Sequence, residues 1–141
     1  MLADTFPGTD TAEGQAHRRA TADRLEAEGM TGYARDNLAK MIASYNVEAM
    51  PAVAAHVTTM MTSAPPAGAA AALRSRAERP DYRDLLATVT VPALIVVGRD
   101  DEFTPVADAE EMHALIPGST LAVIDGAGHL PNRRTQLRLS G

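Results

Sequence analysis

The sequence predicts an α/β fold in which a helical segment is followed by a parallel βαβ unit. Three observations predict it. The texture changes near residue 90, from Ala-, Met- and charge-rich sequence with helical spacing to short β-branched runs. The run "VPALIVVG" (91–98) is continuously apolar and bounded by Pro92 and Gly98, the pattern of a strand buried on both faces. A helical stripe and then a second apolar run, "STLAVIDGAGH" (119–129), follow within the length of one crossover, which makes the two strands parallel neighbours.

Taken in order, "MLAD" reads as the end of a further strand, and "DTFPGTD" as a turn and helix cap whose acids alternatively face a site. From Thr11 to Glu28 the Ala, Arg and Glu content suits a helix, and Gly29 stops it. A second helix is expected over about 31–43, with Tyr33, Leu38, Met41 and Ile42 on its apolar face. A third is expected over about 47–63, where Val53, Val57, Met60 and Met61 recur at helical spacing and Pro51 marks an early turn or a kink. A fourth covers about 67–78. After the first long strand, Thr104 and Pro105 read as N-cap and first helical residue. Val106, Ala109, Met112, Leu115 and Ile116 then form a stripe that "PG" ends.

The chain has 141 residues, 45% of them hydrophobic, enough for one domain that buries roughly 70% of its unfolded surface. A formal charge of −5 and a single lysine, Lys40, argue against nucleic acid and anionic membrane as partners. With no cysteine there is no disulfide, thiolate metal site or thiol nucleophile. No apolar run approaches the roughly 18 residues of a spanning helix, so a soluble, cytoplasmic protein is expected. His17, His56 and His113 lack partners at metal-ligand spacing and read as surface or half-buried helical residues; no metal or cofactor is expected. The methionines at 41, 50, 60 and 61 read as core.

The chemistry lies at the strand ends. In a parallel βαβ unit both strands open onto one edge of the sheet, so the acidic turn in "IVVGRDDEFTP" (95–105) and the turn "GAGHLP" (126–131) share that edge. Alone, an Asp pair after a strand is a solvated turn and a Gly-flanked His a loop residue. Together, Asp101 and His129 are placed to meet, the carboxylate fixing the imidazole tautomer and leaving the other nitrogen as general base.

These residues carry a resemblance. "VTVPALIVVGRDDEFTP" followed by "IPGSTLAVIDGAGHLPN" resembles the C-terminal portion of α/β-hydrolase-fold enzymes, which pair a strand ending in G-x-x-D-x-x-x-P with a later G-x-G-H turn. "LADTFPGTDTAEGQAHRR" and "RPDYRDLLATVTVP" are similar to the 3-oxoadipate enol-lactonase and esterase-like branch. The likeness covers about residues 1–132 and implies a partial α/β-hydrolase fold. Residues 1–10 would be a strand and turn, 11–87 a helical cap, 88–132 the βαβ part of the core and 133–141 an atypical tail. It also implies Asp101 as the acid, with Asp100 its less favoured neighbour, and His129 as the catalytic base. The substrate would be a small ester, lactone or related acyl compound, and the order of the triad Ser, acid, His.

The family's G-x-S-x-G does not occur: Ser44, Ser63, Ser75, Ser119 and Ser140 all lack its glycines. The oxyanion donors that accompany that motif are missing with it. The family continues beyond its G-x-G-H turn with an acid, a Pro and a terminal helix, whereas "RRTQLRLSG" reads as a truncated or out-of-frame end. Two expectations follow. In one, the chain is part of a serine hydrolase whose nucleophile lies elsewhere. In the other, it is a non-catalytic module that self-associates or pairs with a complementary N-terminal half through an unpaired sheet edge.

Overall fold

Residues 1–133 are described by a computed structural model. Three parallel strands, β1 (Leu2–Ala3), β2 (Leu94–Gly98) and β3 (Thr120–Ile124), form one sheet in that spatial order. Between β1 and β2 run α1 (Ala12–Glu28), α2 (Met30–Ile42), α3 (Ser44–Ala49), α4 (Pro51–Thr62), α5 (Pro66–Ala77) and α6 (Arg83–Leu86). Helix α7 (Val106–Leu115) crosses from β2 to β3, and a 3-10 turn covers Pro131–Arg133. The parallel βαβ unit and the extra strand at the start are as the sequence predicts. The tail after Arg133 lies outside the described residues.

Register sets the core. Leu2 pairs with Ile95 and Ile95 with Leu121, so with the two-residue period of a strand Leu2, Ile95, Val97, Leu121 and Val123 share a face. Ala109, Met112 and Ile116 pack onto it, and full burial of each large side chain contributes roughly 1.5–3 kcal/mol. On the other face Leu94 stays 39% exposed. A second cluster, Ala34, Ile42, Ala54, Val57 and Met61, joins α2 to α4, with Met41 and Leu130 packed against it. Of the methionines read as core, Met61 is buried and Met60 is 43% exposed. Helix α1 lies along α5, burying Ala22, Leu25, Ala70 and Ala77, while Arg74 bridges to Asp23 and Glu26.

The helix borders follow local chemistry. Thr11 caps α1 by accepting from the Gly14 N–H, and Gly29, at φ 77°, ends it. The single helix expected over 47–63 is two. Pro51 has no N–H to donate and its ring would strike the carbonyl four residues back, so α3 ends at Ala49, Met50 leaves helical geometry, and Pro51 starts α4. Thr104 does not cap α7. The cap position falls on Pro105, whose ψ of 154° is extended, and Thr104 is buried with its N–H turned to Asp101. Helix α6, a single turn, has too few residues to leave a periodic signal. Among the described residues no helix is long and apolar enough to cross a membrane.

Candidate active site

Asp101 lies three residues beyond β2 and is buried, its side chain fully so. Its Oδ1 accepts from the N–H groups of Phe103 (2.8 Å) and Thr104 (3.1 Å), a closed turn that fixes the carboxylate. Its Oδ2 lies 2.8 Å from His129 Nδ1. With the carboxylate accepting, the proton sits on Nδ1, and Nε2 has no hydrogen-bond partner among the described residues. The neighbouring Asp100 is exposed and accepts instead from the Tyr45 hydroxyl at 2.7 Å. Of the two adjacent acids, the structure joins Asp101 to the histidine. Phe103 meets the imidazole edge-on, centroids 5.1 Å apart.

Two glycines hold the histidine turn against its neighbours. A Cβ on Gly98 would come 2.2 Å from the Gly128 carbonyl oxygen and 2.4 Å from that of Ala127. A Cβ on Gly128 would meet the Ala43 nitrogen at 2.6 Å and the Lys40 oxygen at 2.9 Å. The turn is therefore wedged between the end of β2 and the end of α2. A helix end leaves its last carbonyls without intrahelical donors. Here the Lys40 carbonyl accepts from the His129 N–H (3.4 Å), that of Met41 from Leu130 (2.9 Å), and that of Ile42 from the amide of buried Asn46 (2.7 Å). The same Asn46 amide reaches the Gly126 carbonyl at 3.0 Å. Ala43 takes up φ 69° where the chain leaves this junction.

His129 borders a cavity of about 220 Å³, also lined by Asp4, Arg18, Tyr33, Met41, Arg76, Phe103 and Thr104. Helices α1, α2 and α5 thus stand over the sheet edge where β1, β2 and β3 end. Asp4 follows β1 as Asp101 follows β2, so an acid of "DTFPGTD" does face the site. Its N–H donates to the Val96 carbonyl at 3.0 Å and its Oδ1 accepts from the Gly98 N–H at 3.3 Å. Its φ of 48° is one that residues other than glycine seldom adopt. Burial raises its pKa to about 6, with Asp101 adding to the rise and the Gly98 N–H and His129 opposing it. Donor atoms of Asp4, Asp101 and His129 lie within 4.8 Å of one another. Asp101 already spends both oxygens and His129 its Nδ1 within this group, which leaves a poor ligand set for a metal. His17, His56 and His113 are exposed, away from this group.

No protein-family model matches the chain. It is similar to solved structures over nearly its whole length. A thermophilic esterase from Thermogutta terrifontis, in its malate-bound form, is 37% identical with a TM-score of 0.88, over 94% of this chain and 48% of that one. The enol-lactonase from Burkholderia xenovorans LB400 is 24% identical with a TM-score of 0.81, over 92% and 48%, a likeness of fold. Among curated proteins, the pimeloyl-[acyl-carrier protein] methyl ester esterase of Neisseria meningitidis is 44% identical over 55 residues, 39% of this chain and 21% of that protein. The chain spans about half the length of these solved structures and about a fifth of the curated relative. It has a partial α/β-hydrolase fold, and it resembles the α/β-hydrolase family. Its likeness there is to esterases and, in fold, to an enol-lactonase.

Proposed function

We propose that the chain carries the acid and base of a serine hydrolase acting on a small ester, lactone or related acyl compound, with Asp101 orienting His129. The observation that carries this reading is the 2.8 Å contact between Asp101 Oδ2 and His129 Nδ1 beneath a cavity onto which the histidine opens. In the proposed reaction Nε2 takes the proton of a serine hydroxyl as that oxygen attacks the acyl carbon, and Asp101 stabilises the imidazolium. The proton then passes to the leaving alkoxide. Nε2 next takes a proton from water, which attacks the acyl-enzyme, and the proton returns to the serine. The nucleophile and its oxyanion donors would come from a G-x-S-x-G segment outside these 141 residues, on the same polypeptide or a partner.

Supplying such a segment tests the reading. The complemented protein should hydrolyse activated esters, and His129→Ala should lower kcat by at least about 10³, in the range seen when a triad member is removed. Undiminished turnover without the imidazole would refute the assignment.

A further inference from the structure

We propose that Tyr45 and Asp100 form a strut that positions the acid–base pair, tying the turn of Asp101 to helix α3 as Asn46 ties the turn of His129 to it. The proposal rests on the hydrolase reading above and adds two positioning residues, which act through Asp101 rather than on the reacting atoms.

The bonds from Phe103 and Thr104 to Asp101 Oδ1 fix the carboxylate within its own turn. They do not fix that turn beside the histidine. Two bonds from the residues just before Asp101 begin to do so: the Arg99 N–H donates to the Ile124 carbonyl at 3.0 Å and the Asp100 N–H to the Ala127 carbonyl at 2.9 Å. Two turns joined along one seam can still open about it like a hinge.

The Tyr45 hydroxyl closes that hinge. It donates to Asp100 Oδ2 at 2.7 Å, the length of a charge-assisted bond to a carboxylate. The next residue, Asn46, is buried and donates to the Gly126 carbonyl of the histidine turn at 3.0 Å. Adjacent side chains of one helix therefore grip the two turns. With the bond from Asp100 to Ala127 as the third side, α3, the acid turn and the histidine turn make a closed triangle.

Helix α3 is a firm support for it. Val47 packs onto the core between α2 and α4, and Ala43, just before the helix, lies against Gly128. The tyrosine ring is a rigid spacer with two side-chain torsions, so the hydroxyl sets a distance as well as making a bond. The two neighbouring acids then have separate tasks. Asp101 holds the imidazole, while Asp100 spends its N–H on the histidine turn and its carboxylate on α3. A displacement of about 1 Å in a reacting group can cost about 10²-fold in rate, so a bond worth little in stability still bears on catalysis. Tyr45 is 52% exposed and Asp100 is exposed, so this bond should add little to global stability.

The test is the tautomer of neutral His129 in the 141-residue chain, read from its ring nitrogen resonances at alkaline pH. Pairing with Asp101 favours the proton on Nδ1, and a loosened pair releases it toward Nε2. Tyr45→Phe should lower the ratio of the Nδ1–H to the Nε2–H form about fivefold, within the range of one hydrogen bond. The urea midpoint should move by less than about 0.5 M. Asp100→Ala should match Tyr45→Phe, and Asp100→Asn, which keeps an oxygen acceptor, should restore part of the ratio. The double variant Tyr45→Phe/Asp100→Ala should be no worse than either single change, as for two ends of one bond. This readout needs no turnover: a failed strut leaves His129 as the base, and a failed complementation leaves the strut standing. A ratio within about twofold of the parent in Tyr45→Phe, additive effects in the double variant, or a urea midpoint lowered by about 1 M or more, which would make the bond merely structural, would overturn the proposal.

Discussion

Adding one methyl group at Gly98 should dislodge the histidine turn from the sheet. In Gly98→Ala the new Cβ would sit 2.2 Å from the Gly128 oxygen and 2.4 Å from the Ala127 oxygen, where ordinary contact begins at 3.4 Å. Both obstacles are backbone carbonyls, which have no rotamer to change, so the turn itself must retreat by about 1 Å. The Ala127 carbonyl also accepts from the Asp100 N–H at 2.9 Å, a bond that the retreat stretches. Overpacking costs about 1–3 kcal/mol and a lost backbone hydrogen bond about 1 kcal/mol, so roughly 3 kcal/mol in total is expected. With a urea m-value of about 1.5 kcal/mol/M, the unfolding midpoint should fall by about 2 M. Gly32→Ala is the control: a Cβ there meets nothing within 4 Å, inside α2, and should be neutral or stabilise by up to about 1 kcal/mol. Urea melts followed by circular dichroism, with the His129 ring resonances read alongside, measure both. A Gly98→Ala protein within 0.5 kcal/mol of the parent, with its imidazole resonances unmoved, would show that the wedge does not position the histidine; roughly 0.5 kcal/mol is the ordinary effect of an unconstrained substitution.

Three further predictions follow from particular contacts. Asp4 titrates near 6 in the native state and at 3.8 when unfolded, so the native state holds the extra proton and stability falls as pH rises from about 4 to about 6. Asp4→Asn keeps an acceptor for the Gly98 N–H and, with half-exposure discounted, should raise stability by about 1 kcal/mol at pH 7 and leave it unchanged at pH 4; equal gains at both pH values would remove the titration from the explanation. Asn46→Ala unties α2 from the Gly126 carbonyl and should cost about 1–3 kcal/mol in thermal melts, whereas a change below about 0.5 kcal/mol would mean that the amide is not a tie. Sedimentation should show the 141-residue chain self-associating at micromolar concentration, since β1 is an edge strand of two residues and Leu85, Val91 and Leu94 are exposed; a monodisperse monomer with a sharp cooperative melt would contradict it.

What was legible in the sequence was what local pattern encodes. The β-branched run ending at Gly98 and the stripe from Val106 give β2 and α7 without reference to the rest of the chain. The parallel crossover then forces Asp101 and His129 to one edge, so their meeting followed from topology. The misses have local causes of another kind. Met50 breaks a helix because the next residue is proline; Pro51 was legible as an early turn or a kink, but the hydrophobic spacing of 47–63 runs through it and reads as one helix. Thr104 has the chemistry of a cap but is drawn to Asp101, a tertiary pull on a residue whose propensity is merely local. Asp4 carried a signal, since "MLAD" ends an apolar stretch with an acid as the run to Asp101 does. Its nearness to Gly98, 94 positions away, depends on strand order. Nothing in the sequence distinguished Asn46. Its role arises from what α3 is packed against.

The central claim, that His129 paired with Asp101 is the base that activates a serine, is tested most directly by phosphonylation of the chain complemented with a G-x-S-x-G segment. A serine-directed phosphonate reads nucleophile activation without a substrate-specific step. The complemented parent should be labelled stoichiometrically at that serine, and the His129→Ala form at least about 10³ more slowly. The 141-residue chain alone should remain unlabelled. Equal labelling rates with and without the imidazole, or stoichiometric labelling of a serine within the 141 residues, would contradict the account.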